Sequence, residues 1–170
     1  MKPAPEVTAV AAVQHYRLAA SIQELMNGII DPSADALWDS VAFIATESGT
    51  EDRRPRTDEQ WNAVRTSAIM LVEAANLLSM PDRRVAADLP NTPPPGIGEL
   101  RHELMQQRID ATHDGFVEFA RNLQDKALMA LTAIDARDAQ GLMDAGGAID
   151  QACEACHVTY WYPNQQRPGT

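Results

Sequence analysis

The chain has 170 residues and a formal net charge of −10. This length suits one domain with one sizeable core, spanning residues 1–170. The acidic balance makes nucleic acid and anionic membranes poor partners and favours a partner protein with a basic docking face. Hydrophobic residues make up 45% of the chain but aromatic residues only 5%, which favours closely packed helices over a β-sandwich.

The first predicted element is an amphipathic helix from Val7 to Ile30. Its apolar stripe consists of Leu18, Ile22, Leu25, Met26 and Ile29. Asp31-Pro32 then predicts a kink or short break, because the residue before a proline disfavours helix whereas Asp followed by Pro can start a new one. Apolar positions at helical spacing resume beyond the break and continue to about Glu47. The first helical arm is therefore expected to be kinked or split.

A second helix is expected to begin after Thr57, because Thr57 and Gln60 form a capping box. Its apolar stripe advances by steps of three and four from Trp61 and ends before Pro81. Residues 81–98 carry five of the eleven prolines and two glycines. They are expected to form a long crossover loop, which either covers one end of the fold or acts as a stiff spacer.

A third helical region is predicted from Leu100 to Ile134, entered through a shorter helix before Thr112. A last helix follows the turn at residues 135–138 and ends before Pro163. No segment has a convincing strand pattern. The chain is therefore predicted to be all-α, an antiparallel four-helix bundle with a kinked or split first helix and a long proline-rich crossover loop. Bundles of this class can hold a cofactor between side chains of facing helices.

The last helix carries the segment Cys153-Glu154-Ala155-Cys156-His157, and C-x-x-C-H is the attachment motif of a c-type haem. Two thiols three residues apart on a helix can each reach one vinyl group of the same porphyrin edge. The adjacent His157 then lies under the iron as its proximal ligand. The motif therefore predicts one covalently bound haem c and its iron.

Other interpretations of these cysteines fit the sequence less well. A structural zinc site needs four ligands, and the chain has no cysteine beyond Cys153 and Cys156. A thioredoxin-like pair belongs near a βαβ pattern at the start of a helix, whereas this pair falls late in the last one. A plain disulfide or a chance pair of buried thiols would leave unexplained why both cysteines and one of four histidines fall within five residues.

Residues 138–162 resemble the last helix of the class II cytochromes c, the cytochrome c prime superfamily. In that family the motif lies on the final helix of a four-helix bundle, whereas in class I cytochromes c it comes early. The resemblance implies thioether bonds to Cys153 and Cys156, with His157 as proximal ligand. The chain departs from the family at Glu154, where many members carry a basic residue, and at Trp161, where an arginine is often found.

The family places its distal residue on the first helix, and its low-spin members use a methionine there. Met26 has that place, and it is either the sixth iron ligand or a methionine that fills the core. With Met26 bound, the protein would carry single electrons between partners. With Met26 unbound, a five-coordinate iron would bind nitric oxide or carbon monoxide. Three other histidines are weaker candidates, in the order His113 before His15 and His102.

Trp161 is four residues beyond His157 on the last helix, so it is expected to lie against the cofactor. The aromatic residues that would wall the porphyrin, or equally pack the core, are Trp38, Phe43, Trp61, Tyr160 and Trp161. Gly146-Gly147 is expected to let a neighbouring helix, or the haem, approach closely, and a helix is preferred. An enzymatic role is not expected, because no distal acid and base pair is evident.

The resemblance implies that haem is attached outside the bacterial cytoplasm, so a periplasmic location is expected. Residues 1–6 lack the apolar core of a secretory signal, and no run approaches the length of a membrane span. The expectation is therefore that either a signal sequence was removed or the native N-terminus carried a lipid anchor. Members of the family often pair through their first two helices, so the resemblance also allows a homodimer.

Overall fold

The computed structural model describes residues 16–46, 49–87 and 95–163. Within these ranges the chain is mostly helical, with one small antiparallel hairpin, which agrees with the predicted helical class. The elements in chain order are α1 Ile22–Leu25, a π-helical turn Met26–Ile30, α2 Asp31–Ser40, β1 Ala42–Thr46, β2 Gly49–Arg53, α3 Asp58–Leu78, α4 His102–Ala111, α5 His113–Asp135 and α6 Ala139–Tyr160.

The first helix begins later than the sequence predicted. Ser21 is its N-cap, and a capping box joins the Ser21 hydroxyl to the Glu24 N–H and the Glu24 carboxylate to the Ser21 N–H. Residues 16–20 are not helical, so the prediction was wrong for them. Residues 7–15 of the predicted helix lie outside the described ranges.

The predicted break at Asp31-Pro32 takes the form of the π-helical turn. The Asp31 N–H donates to the Met26 carbonyl, five residues back instead of four. Pro32 has no N–H to donate, and in a regular α-helix its ring would clash with the carbonyl of residue 28. A wider turn just before the proline avoids that clash. The first arm is therefore split into two α-helical segments, as the sequence indicated.

The prediction was wrong for residues 42–46, which were expected to extend the helical arm, and residue 47 lies outside the described ranges. Helix α2 ends at Ser40, and Val41 already has an extended backbone, with φ −136° and ψ 131°. β1 then pairs with β2, and Phe43 lies opposite Asp52. Aromatic and β-branched residues in β1 favour a strand, and Gly49 begins the return strand with φ 139°, a conformation that favours glycine.

Helices α2, α3, α5 and α6 surround the core. Helix α5 packs against both α3 and α6, and α2 also packs against both α3 and α6. The short helix α4 contacts α5 and α6 at one end of this arrangement. Fully or almost fully buried residues on the four helices include Leu37, Leu71, Ala127, Leu142 and Ile149. None of the helices in the described ranges is long and apolar enough to cross a membrane.

The later helix boundaries agree with the sequence predictions. Thr112 leaves the helical conformation, with φ −138° and ψ 45°, and separates α4 from α5. The Asp138 carboxylate accepts from the Gly141 N–H at 3.0 Å and caps α6, which ends before Pro163. Residues 81–87 and 95–98 of the predicted loop contain no helix or strand, and residues 88–94 lie outside the described ranges.

Residues 83–85, here called the strap, fasten the start of α1. Carbonyls of the strap accept from the N–H groups of Ile22 at 2.8 Å and Gln23 at 2.9 Å, two donors that the helix itself leaves unsatisfied. The buried Arg83 side chain donates through Nε to the Leu77 carbonyl at 2.9 Å, at the end of α3. A positive charge is favourable at a helix C-terminus. The strap therefore ties α1 to α3.

Gly146 lets α2 approach α6 closely. The Trp38 indole Nε1 donates to the Gly146 carbonyl at 3.0 Å, and a Cβ at position 146 would lie 3.1 Å from Trp38 Cδ1. A Cβ at Gly147 would meet nothing within 4 Å. The predicted close approach of a helix is therefore confirmed for Gly146 and does not extend to Gly147.

We predict that Gly147→Ala raises the free energy of unfolding by about 0.5–1 kcal/mol, because alanine favours helix and the new methyl group meets no neighbour. Gly146→Ala has the same helical gain, but its methyl group crowds the Trp38 ring. It should therefore be less stable than Gly147→Ala by about 1 kcal/mol or more. Urea denaturation measures both variants, and equal stability would contradict the packing role of Gly146.

Candidate functional site

The motif side chains of α6 face a cavity of about 180 Å³, here called the thiol cavity. Cys153, Cys156 and His157 stand at positions i, i+3 and i+4, which share one face of a helix. All three line this cavity, and the two half-buried cysteines are not joined in a disulfide. Local helical geometry therefore brings both thiols and the imidazole to one place.

Met26, the first residue of the π-helical turn, lines the thiol cavity together with the motif residues. It also lines a second cavity of about 120 Å³, here called the strap cavity because Val85 of the strap borders it. The side chains that line both cavities are Met26, Phe116, Cys156 and His157. The two cavities therefore meet at Met26 and His157, the residues predicted as axial iron ligands.

The His157 ring is held between aromatic neighbours. The Trp161 ring, which lines the strap cavity, meets it edge to face with centroids 4.7 Å apart and planes at 88°. The Tyr162 ring lies 5.9 Å from the imidazole, and its hydroxyl donates to the Glu154 carboxylate at 2.6 Å. Trp161 is thus beside the histidine as its spacing predicted, and these contacts restrict the orientation of the imidazole.

Several aromatic side chains line the two cavities, but they are not quite the predicted set. The residues that do so are Trp38, Phe116, Phe119, Tyr160 and Trp161. Trp61 and Phe43 line neither cavity, because Trp61 packs in the core on α3 and Phe43 is exposed on the hairpin. Phe116 had been assigned only to the core stripe of its helix, and periodicity alone could not separate core from cavity.

The structure brings His102, and not His113, to a cavity that His157 lines. His102, half-buried at the start of α4, lines the strap cavity with His157. His113 instead borders a space of about 10 Å³ beside Arg83, away from the cysteines. His15 lies outside the described ranges. A signal existed in the sequence, since His102, Met105 and Ile109 share a helix face.

Burial suppresses ionisation of the motif side chains. It raises the pKa of Cys153 to about 11, with Asp31 and Asp150 adding to the effect, and the pKa of Cys156 to about 12. It also lowers the pKa of His157, against the opposing influence of nearby carboxylates. Protonated thiols of this kind are unlike those of disulfide oxidoreductases, and a neutral imidazole is the form that binds a metal.

Asp31 belongs to the site, although the sequence marked it only as a helix boundary. It lines the thiol cavity, and its charge acts on both Cys153 and His157. Burial raises the pKa of Asp31, and the His157 charge opposes that shift. Asp31 is five residues after Met26, and a π-helical turn aligns residues at that spacing. The Asp31-Pro32 pair predicted a break at this point but not its π-helical form.

In the parts of the chain that the structure describes, no group of three or more His, Cys, Asp or Glu residues is arranged to hold a metal ion. An iron held by a porphyrin takes only axial ligands from the protein. This finding therefore concerns only metal sites that are built from side chains alone.

Comparison of the chain with protein-family models, with curated proteins and with solved structures finds no match in any of the three. What the site does is therefore inferred from its own residues.

We predict that the cofactor-free chain loses stability as the pH rises above about 8.5, the pKa of a free cysteine. Both thiols have a higher pKa when folded, so their contribution to stability is complete below that pH and is lost as the pH rises towards 11. Denaturant titrations at neutral pH and about pH 10 measure the decline. The variant C153A/C156A is the control, and an equally steep decline in it would contradict the prediction.

Proposed function

We propose that the protein is a c-type cytochrome with one haem bound covalently through Cys153 and Cys156 and with His157 as the proximal iron ligand. The observation that carries this proposal is that both thiols, the imidazole and the Met26 thioether line one cavity. The bound haem would supply a one-electron Fe(III)/Fe(II) couple. Within the proposal, α2, α3, α5 and α6 form an antiparallel four-helix bundle, the framework of a class II cytochrome c.

The residues of the site fit such a group. Helix α6 offers two unpaired thiols on one face, as two thioether bonds to one porphyrin edge require. Both cavities are bordered largely by apolar side chains, which keep water from an iron. Together the cavities reach the lower end of the ~300–1,000 Å³ that cofactor sites occupy. A flat ring would occupy both cavities, past the side chains that line both of them.

Met26 is the proposed sixth ligand. It lies where the two cavities meet, with His157, and the π-helical turn that begins at Met26 is a feature that often marks functional sites. A thioether ligand raises the reduction potential relative to a second histidine. With both axial positions filled, electron transfer between periplasmic partners is the function that the site supports best.

The surroundings of the ligands suggest how the chain would tune the iron. Trp161 and Tyr162 fix the orientation of the His157 ring, so the ligand is preorganised. Asp31, Asp150 and Glu154 place carboxylates around the thiol cavity, and negative charge there favours the more positive, ferric state. The same carboxylates suit a redox partner with a basic docking face.

A second function remains open at the same site. Phe116 lies with Met26 where the cavities meet, so an unbound Met26 would leave an apolar distal face. A five-coordinate iron in such surroundings would bind nitric oxide or carbon monoxide. The two functions make different predictions for one substitution.

We predict that the ferric holoprotein has a low-spin spectrum with a methionine-to-iron charge-transfer band, and that Met26→Leu abolishes the band. Leucine keeps the side-chain volume and removes only the sulfur. Met105→Leu is the matched control, because Met105 lines the strap cavity but lies on α4. The reduced wild-type protein should bind carbon monoxide slowly and Met26→Leu rapidly.

A high-spin ferric spectrum and immediate carbon monoxide binding in the unaltered protein would contradict ligation by Met26. That result would favour the gas-binding function and leave covalent haem attachment intact.

A further inference from the structure

The polar residues that border the two cavities differ in charge. Apart from the motif thiols, His157 and the Trp38 ring, the polar residues of the thiol cavity are Asp31, Asp150 and Glu154, all of them carboxylates. The strap cavity is different. Apart from Cys156, His157, Tyr160 and Trp161, its polar residues are Gln23, Asn27, Glu99 and His102.

Three of the strap-cavity residues carry side-chain N–H donors that find no acceptor among the described residues. The side chains of Gln23, Asn27 and His102 make no hydrogen bond there. Each amide has two N–H donors, and an imidazole has at least one in either protonation state. The Glu99 carboxylate is already engaged, because it accepts from the Gly96 N–H at 2.6 Å. Donors of this kind, at the rim of an otherwise apolar cavity, suit an acceptor group of a ligand.

We propose that the strap cavity binds the two carboxylate side chains of the porphyrin, with His102 as the main donor and with Gln23 and Asn27 beside it. This inference rests on the proposed function, and it assigns to His102 a binding role at the edge of the ring that is remote from the thioether bonds. Hydrogen bonds to a carboxylate are charge-assisted and stronger than those between neutral groups.

The orientation of the ring follows from the two cysteines. Vinyl groups and carboxylate chains lie on opposite edges of a haem. Cys153 lines only the thiol cavity, whereas Cys156 and His157 line both. A ring tethered at Cys153 and held by His157 would therefore place its opposite edge in the strap cavity.

Electrostatics favour the same orientation. In the thiol cavity the carboxylates of the porphyrin would meet Asp31, Asp150 and Glu154, and like charges in a partly dry site repel strongly. In the strap cavity they would meet three donors and one carboxylate, that of Glu99, instead of three carboxylates. No Arg or Lys among the described residues lines this cavity, so neutral amides and His102 would have to bind the carboxylates.

The first experiment compares carboxylate signals in the holoprotein. Resonance Raman spectra of the covalent protein report the bending modes of the haem carboxylates. His102→Leu should shift these bands, because leucine removes the donor. His102→Gln keeps an N–H donor and should restore them. His113→Leu should leave them unchanged, because His113 lines neither cavity and borders the small space beside Arg83. Bands that are the same in the wild-type protein and His102→Leu would overturn the proposal.

The second experiment measures affinity in full-length C153A/C156A, where the porphyrin is not tethered. Haemin and haemin dimethyl ester are the probes, since the ester has no free carboxylate. His102→Leu should weaken haemin binding about 10-fold or more and ester binding much less, because an ester oxygen is a weaker acceptor than a carboxylate. An equal effect on both probes would overturn the proposal, because it would show a contact that does not involve the carboxylates.

These outcomes separate this inference from the proposed function. Absence of covalent haem from the wild-type chain would overturn the proposed function itself. Covalent haem whose carboxylate bands do not respond to His102→Leu would overturn only the role of the strap cavity.

Discussion

The rotational setting of α6 about its axis is the constraint on which the site depends. Tyr160, three residues beyond His157, packs edge to face on Phe116 and Phe119 with ring centroids 5.5 and 5.9 Å away. Its hydroxyl lies 3.0 Å from the Thr112 hydroxyl, at the junction of α4 and α5. A helix held at this point cannot turn without breaking these contacts. The cysteines and His157 therefore face the cavities because Tyr160 faces α5.

The first arm depends on two further anchors. The strap holds the start of α1 through the N–H groups of Ile22 and Gln23, and the Trp38 hydrogen bond to Gly146 holds α2 against α6. Between these fixed segments the π-helical turn takes up one more residue than an α-helical turn would. Met26 and Asp31, at its two ends, both reach the thiol cavity as a result. A local response to Pro32 thus contributes two side chains to the site.

Local signals were enough to predict much of the fold. Capping at Thr57, the turn at residues 135–138 and the break at Thr112 depend on neighbouring residues only, and the motif needs one helical face. The hairpin was missed because the helical spacing of its apolar residues continued that of α2. Its pairing with residues 49–53 depends on contacts between two segments, which the spacing within one segment does not reveal. His102 was missed because its polar neighbours in sequence concealed the apolar face that it shares with Met105.

The central claim is that Cys153 and Cys156 bind haem covalently, and intact-mass measurement of the chain produced in a periplasm with haem-attachment machinery tests it most directly. The account predicts the mass of the chain plus one haem, a colour that resists extraction with acidic acetone, and loss of both in C153A/C156A. The mass of the chain alone, with all colour removed by the solvent, would contradict it.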